Sequence, residues 1–283
     1  MDEKIKFSVL MSIYDKEKPK YFEEALRSIL YQEIVPTEIL IVEDGKLTKE
    51  LYDIIKKYKK KYKNIITLKL EKNLGLGEAL RRGVLSCKNE IIARMDTDDI
   101  AKPDRFKKQL EVLKNNSDID MVGSLIEEFE EINNERKIRG LRIVPEKHEE
   151  IVKVMKKINP FNHPTVVFKK SKVIGSGNYS EKYNKLEDYY LWFRMAKNNC
   201  KFYNIQESLL YFRISNETLK KRRGISLLKN TYKLYREFYS KNFINLYEFV
   251  KNVIIWSLYR ILPLKMVKYL KNLILRKVKI KNV

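Results

Sequence analysis

The run Arg94-Met95-Asp96-Thr97-Asp98-Asp99 places three carboxylates within four positions. Carboxylates crowded in this way repel one another unless a cation sits among them. Oxygen donors suit Mg2+ or Mn2+, ions that share their coordination with substrate phosphates. A helix cap ahead of Pro103 would account for Asp98 or Asp99, but not for three acids together. A second acidic pair opens the amphipathic segment Leu186-Glu187-Asp188-Tyr189-Tyr190-Leu191-Trp192. Its carboxylates read either as first-turn charges that suit the helix dipole or as a general base presented at a helix start. A third segment, Asn73-Leu74-Gly75-Leu76-Gly77-Glu78-Ala79, has the glycines that let backbone approach a phosphate or a sugar, or simply turn.

These residues follow strands. Ile5–Ile13 and Glu38–Val42 are short apolar runs rich in β-branched side chains, which predicts buried parallel strands. Helical spacing over Tyr21–Tyr31, Lys49–Tyr62, Gly77–Ser86 and Arg105–Leu113 alternates with further strands at Ile65–Leu70 and Glu90–Met95. Such alternation predicts an α/β fold with a mostly parallel sheet, helices on both faces and ligands at the carboxyl ends of the strands. The turn after the first strand, Ser12-Ile13-Tyr14-Asp15, has no glycine, which argues against a dinucleotide-binding enzyme. Acids follow two strands of one sheet, at Glu43-Asp44-Gly45 and at Asp96 to Asp99. From Asp120 the pattern predicts strands at Met121–Phe129, Ile138–Val144 and Thr165–Phe168, with helices at Lys147–Lys157 and Leu186–Asn198. Beyond Gly224 only helical spacing continues.

Taken together, the motifs resemble the family 2 glycosyltransferases of the GT-A fold, particularly the bacterial exopolysaccharide branch that includes amylovoran-type transferases. The resemblance spans about Lys6 to Arg223. Ser8 to Tyr14 looks like the opening strand, with Ser12 and Tyr14 on the donor side, and Val42-Glu43-Asp44-Gly45 looks like the family's Val-Asp-Asp-Gly-Ser turn. The resemblance implies Asp44 as a uracil contact, with Asn73, Gly75 and Arg94 also in the donor site. Asp96-Thr97-Asp98 is similar to the DxD element, which implies Asp96 and Asp98 as ligands of Mn2+ or Mg2+. Asn162-His163-Pro164-Thr165 and Glu187-Asp188 match acceptor-side motifs, with Asp188 the implied base and His163 and Glu187 beside it. Glu43, Lys46 and Arg81 depart from the pattern at positions usually held by Asp, Ser and Asn. No Gln/Arg-x-x-Arg-Trp element follows Asp188, so a processive synthase is not expected. The implied activity is inverting hexosyl transfer from a nucleotide diphosphate sugar, UDP-linked by the resemblance, to a glycan or lipid-linked acceptor in surface polysaccharide synthesis. One carboxylate base and a cation suffice for that reaction, whereas a glycosidase needs two flanking carboxylates.

Of the 283 residues, 59 are Lys or Arg and 37 Asp or Glu, a formal charge of +22. Nucleic acid, an anionic membrane surface or a phosphorylated substrate would each suit that excess, and so would compositional drift. The location of the charge decides between them. Residues 1–223 read as the transferase domain and 224–283 as a basic amphipathic helical extension, divided near residues 215–225. In the stretch Leu264–Val278, helical spacing sets Met266, Val267, Leu270, Leu273 and Ile274 on one face, with Lys265, Lys268, Lys271 and Arg276 on or beside the other. This pattern predicts interfacial binding to an anionic membrane, or packing on the domain. With no signal peptide and no spanning segment, a cytoplasmic protein held on the inner face of the cell membrane is expected. The basic loop Lys220–Arg223 reads as a solvated linker, or as a lid whose Arg222 and Arg223, with Arg213 just before it, grip the diphosphate. Two further readings compete. A sugar nucleotidyltransferase needs a glycine-rich, basic first turn, which is missing. A nucleic-acid-binding protein needs basic and aromatic residues interleaved on a strand platform, so nucleic acid is not an expected partner. Cys87 and Cys200 lie far apart with no neighbouring His, which predicts reduced, buried thiols and no structural zinc.

Overall fold

The computed structural model describes residues 5–133, 135–214, 225–261 and 278–279. Four parallel strands form its first half: β1 (Phe7–Ile13), β2 (Glu38–Asp44), β3 (Ile65–Leu70) and β4 (Ile91–Met95), in the order β4-β1-β2-β3. Alternate side chains on these strands serve opposite faces. Val9, Met11, Ile39 and Ile41 pack with helices α1 (Pro19–Leu30) and α2 (Lys49–Lys61). Leu10, Leu40 and Val42 pack with α3 (Leu76–Ser86) on the other side. Burial on both faces is why β1 and β2 read as nearly continuous apolar runs. Pro19 at the first turn of α1 and the Thr48 side chain, which accepts from the Leu51 amide, set the two helix starts. Cys87, just past α3, is buried, and burial pushes its thiol up to about 12. Cys200 is buried and raised as well.

The second half turns antiparallel. A two-residue strand β5 (Ile100–Ala101) and helix α4 (Arg105–Asn115) follow the acidic turn. Then come β6 (Met121–Ile132), β7 (Glu135–Arg142), α5 (His148–Met155), β8 (Val167–Lys169), α6 (Lys170–Gly175), α7 (Glu187–Lys197) and β9 (Phe202–Arg213). Strand β8 pairs with β4 and β6, extending the sheet to β7. The twelve-residue β9, which the periodicity leaves without an element, runs parallel to β6 and antiparallel to β5. Its register with β6 shifts twice, around Leu125, so apolar residues do not keep a period of two.

After residues 215–224, which include the expected domain boundary, helices α8 (Ile225–Ser240) and α9 (Leu246–Ile261) pack against each other. Leu234, Tyr235 and Phe238 of α8 are buried in one cluster with Tyr189, Leu191 and Phe193 of α7. The amphipathic stretch expected over 264–278 lies outside the described residues except for Val278, which with Lys279 forms β10, an antiparallel partner of β7. Among the described residues no helix is long and apolar enough to cross a membrane.

Candidate active site

Parallel pairing puts three strand ends on one edge. Ser12 lies opposite Val42, Ile13 opposite Glu43, and Met11 opposite Met95, so Ser12, Tyr14, the Glu43-Asp44-Gly45 turn and the acidic turn after β4 share that edge. Asp44 is buried and its carboxylate accepts from the amides of Leu74 at 2.7 Å and Gly75 at 3.0 Å. The residue implied as a nucleobase contact therefore also clamps the glycine turn that begins α3. Asn73 completes that turn by accepting from the Gly75 amide at 3.1 Å. Gly45 has φ +86°, and a Cβ there would lie 2.7 Å from the Asn73 nitrogen, so the two turns touch only because Gly45 has no side chain.

The acidic turn holds Asp96, Asp98 and Asp99 with one carboxylate oxygen of each within 4.8 Å of the others. Burial, and then the charge of Asp96, pushes the Asp98 carboxyl up to about 6. Burial and the charge of Asp98 raise fully buried Asp99 well above its ordinary range. A divalent cation would reverse both effects, so this donor set fits Mn2+ or Mg2+. Capping does not explain these acids. Asp104 occupies the N-cap position of α4, and Asp99 accepts instead from the Arg213 amide at 2.9 Å. The other Asp99 oxygen, Oδ2, is buried without a hydrogen-bond partner among the described residues.

Two buried arginines shape the turn. Arg94 donates to Asp96 from Nη2, while its Nε and Nη1 have no partner among the described residues. Arg105 donates to the Arg94 carbonyl at 2.7 Å and to the Met95 sulfur at 3.1 Å, and burial draws its guanidinium down to about 9. Arg213, expected at the diphosphate, is placed differently. It lies under the turn, donating to the Asp98 carbonyl at 2.9 Å and to Glu131 at 2.6 Å, and it also pairs with Glu24. Its guanidinium stacks 3.8 Å from the centre of the Tyr21 ring. With each guanidinium nitrogen engaged by protein, Arg213 braces the acidic turn. Arg222 and Arg223 lie outside the described residues.

Around Arg94 the acceptor-side motifs converge. His163, in a short 3-10 turn, shares a hydrogen bond of 2.9 Å with the buried Tyr179 hydroxyl. Burial, reinforced by the Arg94 charge, holds its imidazole well below the usual range, hence neutral. Glu187 and Asp188 open α7. Glu187 is buried, and burial and then the Asp188 charge lift its carboxyl to about 7. Asp188 accepts from the Asn159 side chain at 2.6 Å and from the Tyr189 amide at 2.7 Å. Gly77 at the start of α3 abuts this corner, since a Cβ there would meet the Glu187 Cβ at 3.4 Å. The sequence reading missed Asn159, Tyr179 and Arg105. No spacing marks the first two, and Arg105 shows only as the first residue of the helical pattern Arg105–Leu113.

The family model described as "Glycosyl transferase family 2" matches residues 8–175. UDP-Gal:alpha-D-GlcNAc-diphosphoundecaprenol beta-1,3-galactosyltransferase of Escherichia coli is 38% identical over 276 residues, covering 98% of each chain. The amylovoran biosynthesis glycosyltransferase AmsE of Erwinia amylovora is 35% identical over 267 residues, 93% of this chain and 97% of AmsE. Among solved structures, S. aureus TarS superposes with a TM-score of 0.64 at 17% identity, sharing the GT-A architecture. That match covers 92% of this chain and 46% of TarS, so the chain spans about half of the TarS length. A model match over more than half of the chain and near full-length relatives well above 30% identity agree with the geometry, and the chain belongs to glycosyltransferase family 2.

Proposed function

We propose that this glycosyltransferase moves a hexose from a UDP-sugar, with inversion, onto a lipid-linked or glycan acceptor in bacterial surface polysaccharide synthesis. The observation that carries the reading is the meeting of a three-carboxylate turn and the Glu187-Asp188 pair around one buried arginine, at the carboxyl edge of a parallel sheet. The E. coli relative, whose name specifies UDP-Gal and a diphosphoundecaprenol acceptor, supports the donor and the acceptor class.

Asp96 and Asp98 would hold Mn2+ or Mg2+, which when bound neutralises charge developing on the departing diphosphate. Asp44 fixes the glycine turn against the donor side, leaving Ser12, Tyr14 and Asn73 along the same edge. Asp188 takes the proton of the acceptor hydroxyl while that oxygen bonds to the anomeric carbon and the bond to the diphosphate breaks. Asn159 and the Tyr189 amide hold the Asp188 carboxylate in place for this transfer. Displacement from the side opposite the leaving group inverts the anomeric centre. The proposed place of work is the cytoplasmic face of the cell membrane, with the basic extension against anionic lipid.

The direct test is incubation of the full chain with UDP-sugars, UDP-galactose first, and a lipid-diphosphate N-acetylglucosamine acceptor. Product with anomeric configuration opposite to the donor is expected, and it should vanish in EDTA and return with Mn2+. Retention of configuration would overturn the single-displacement mechanism. Undiminished turnover in EDTA would remove the cation from it.

A further inference from the structure

Helix α9 starts at a capping box: the Glu248 amide donates to the Asn245 side chain at 2.8 Å, and Glu248 accepts from the Asn245 amide at 3.0 Å. Its inner face is fixed to the domain. Phe249, Val253 and Trp256 pack on the buried cluster, Asn252 donates to the Lys156 carbonyl at 2.7 Å, and Trp256 donates to the Lys157 carbonyl at 3.1 Å. Its outer face carries Tyr247, Val250, Ile254 and Leu258 at i, i+3, i+7 and i+11, exposed by 71%, 46%, 54% and 50%. Leu246 extends this stripe, and Tyr239 and Tyr232 of α8 are exposed nearby around the Phe249 ring. A row of large apolar side chains on a helix this firmly held marks a surface meant to be covered.

Charge selects what covers it. Residues 225–283 hold thirteen Lys and Arg against two Glu, half of the chain's +22. Both acids are already engaged: Glu248 closes the capping box, and Glu237 pairs with Lys182 at 2.6 Å and accepts from Tyr190 at 2.9 Å. Lys233, Arg236 and Lys251 are exposed and in no ion pair among the described residues. A second copy of this chain would bring the same positive face and be repelled. The chain's own residues 262–277 would bring five more cations and no acid. Only a partner that is apolar beneath and anionic on top satisfies both features.

We propose that the outer face of α9 seats the protein on an anionic lipid bilayer, with Tyr247, Val250, Ile254 and Leu258 entering the interface and Lys233, Arg236 and Lys251 meeting the headgroups. The carbonyls that anchor α9, those of Lys156 and Lys157, lie just before Asn159, whose side chain holds Asp188. The bilayer contact is thereby tied to the loop that orients the base. This assignment names the surface behind the membrane location proposed above, and its purpose rests on the lipid-linked acceptor proposed there.

The test is co-sedimentation of the full chain with vesicles of phosphatidylglycerol mixed equally with phosphatidylcholine, and with phosphatidylcholine alone. Binding should need phosphatidylglycerol, weaken with salt, and fall about tenfold or more when Tyr247, Val250, Ile254 and Leu258 are together changed to Ser. A second variant, Lys233→Glu with Arg236→Glu and Lys251→Glu, should lose binding to the same vesicles while keeping the thermal transition of the parent. Equal binding by parent and both variants, no binding by the parent, or a dimer in solution that the serine variant abolishes would each overturn the assignment. Vesicle binding without transfer to a lipid-linked acceptor would keep this surface and sink the acceptor. Transfer without vesicle binding would do the reverse.

Discussion

Asp96, Asp98 and Asp99 crowd one turn, so the charges of half-buried Asp98 and buried Asp99 are costly without a cation. Asp96→Asn, which keeps an acceptor for the buried Arg94, and Asp98→Ala are expected to fold normally and to transfer at below about 1% of the parent rate, measured by UDP release. Because cation ligands must be deprotonated, Mn2+ affinity should fall as pH drops below the Asp98 value of about 6, a trend calorimetry would register. Asp188→Asn should lose roughly 100- to 10,000-fold in rate while UDP with Mn2+ binds as before. A collapse of UDP binding would move Asp188 to the donor side. Glu187 gives a pH signature in stability. Its folded carboxyl titrates near 7 against an ordinary 4.5, so the folded state holds this proton more tightly than the unfolded chain does. The resulting stabilisation is fully present below pH 4.5 and is lost as pH rises to about 7. Beyond that point burial of the charge costs on the order of 3 kcal/mol. Glu187→Gln should therefore melt higher than the parent at pH 8 and equally at pH 4. Equal melting at both pH values would mean that Glu187 is not buried as a carboxylate. Legibility at this scale followed contiguity: Asp96 to Asp99 stand together in the chain and announce themselves. Asn159, Tyr179 and Arg105 meet their partners only through the fold, and nothing in the neighbourhood of Arg213 names Glu24 or Glu131, the acids it engages.

At the scale of elements, β1, β2 and the helices around them were readable because two-sided burial writes an apolar run and one-sided burial writes a helical stripe, and β3 and β4 followed from the alternation. The strand β9 was not, since its bulged pairing with β6 scatters Asn204, Gln206, Glu207 and Ser208 among its apolar residues. The hairpin of β6 and β7 extends through charged residues, where periodicity is silent. Turns show the same division. The Gly45 and Asn73–Gly75 turns were visible as glycines, but their mutual contact through Asp44 was not. Gly45→Ala is expected to force them apart, since its φ of +86° and the backbone 2.7 Å from the new Cβ leave no easy relaxation. Destabilisation above about 1 kcal/mol and a raised KM for the UDP-sugar, with kcat less affected, should result. Denaturant melts and donor saturation curves read the two effects, and unchanged KM would separate the turn contact from donor binding.

On the scale of the whole molecule, the helical extension and the transferase domain share one core, with α8 laying Leu234, Tyr235 and Phe238 over α7. Removing everything after Gly224 should uncover Tyr189, Leu191 and Phe193 and lower the melting temperature on the order of 10 °C, at about 1.5–3 kcal/mol for each large side chain lost from burial. A truncated chain that melts with the parent would show that α8 is dispensable to the core. The sequence pattern showed the helices and their charge but not this shared burial, because a helix packed on its own domain and one facing lipid carry the same stripe. A different consequence follows from the interior placement of Cys87 and Cys200. Both thiols are buried and held in their protonated, unreactive form, so maleimide reagents meet essentially no native target in the folded protein. One cysteine introduced at an exposed position such as Val250 would carry a fluorophore alone, turning the wild-type background into a ready-made blank for single-site spectroscopy.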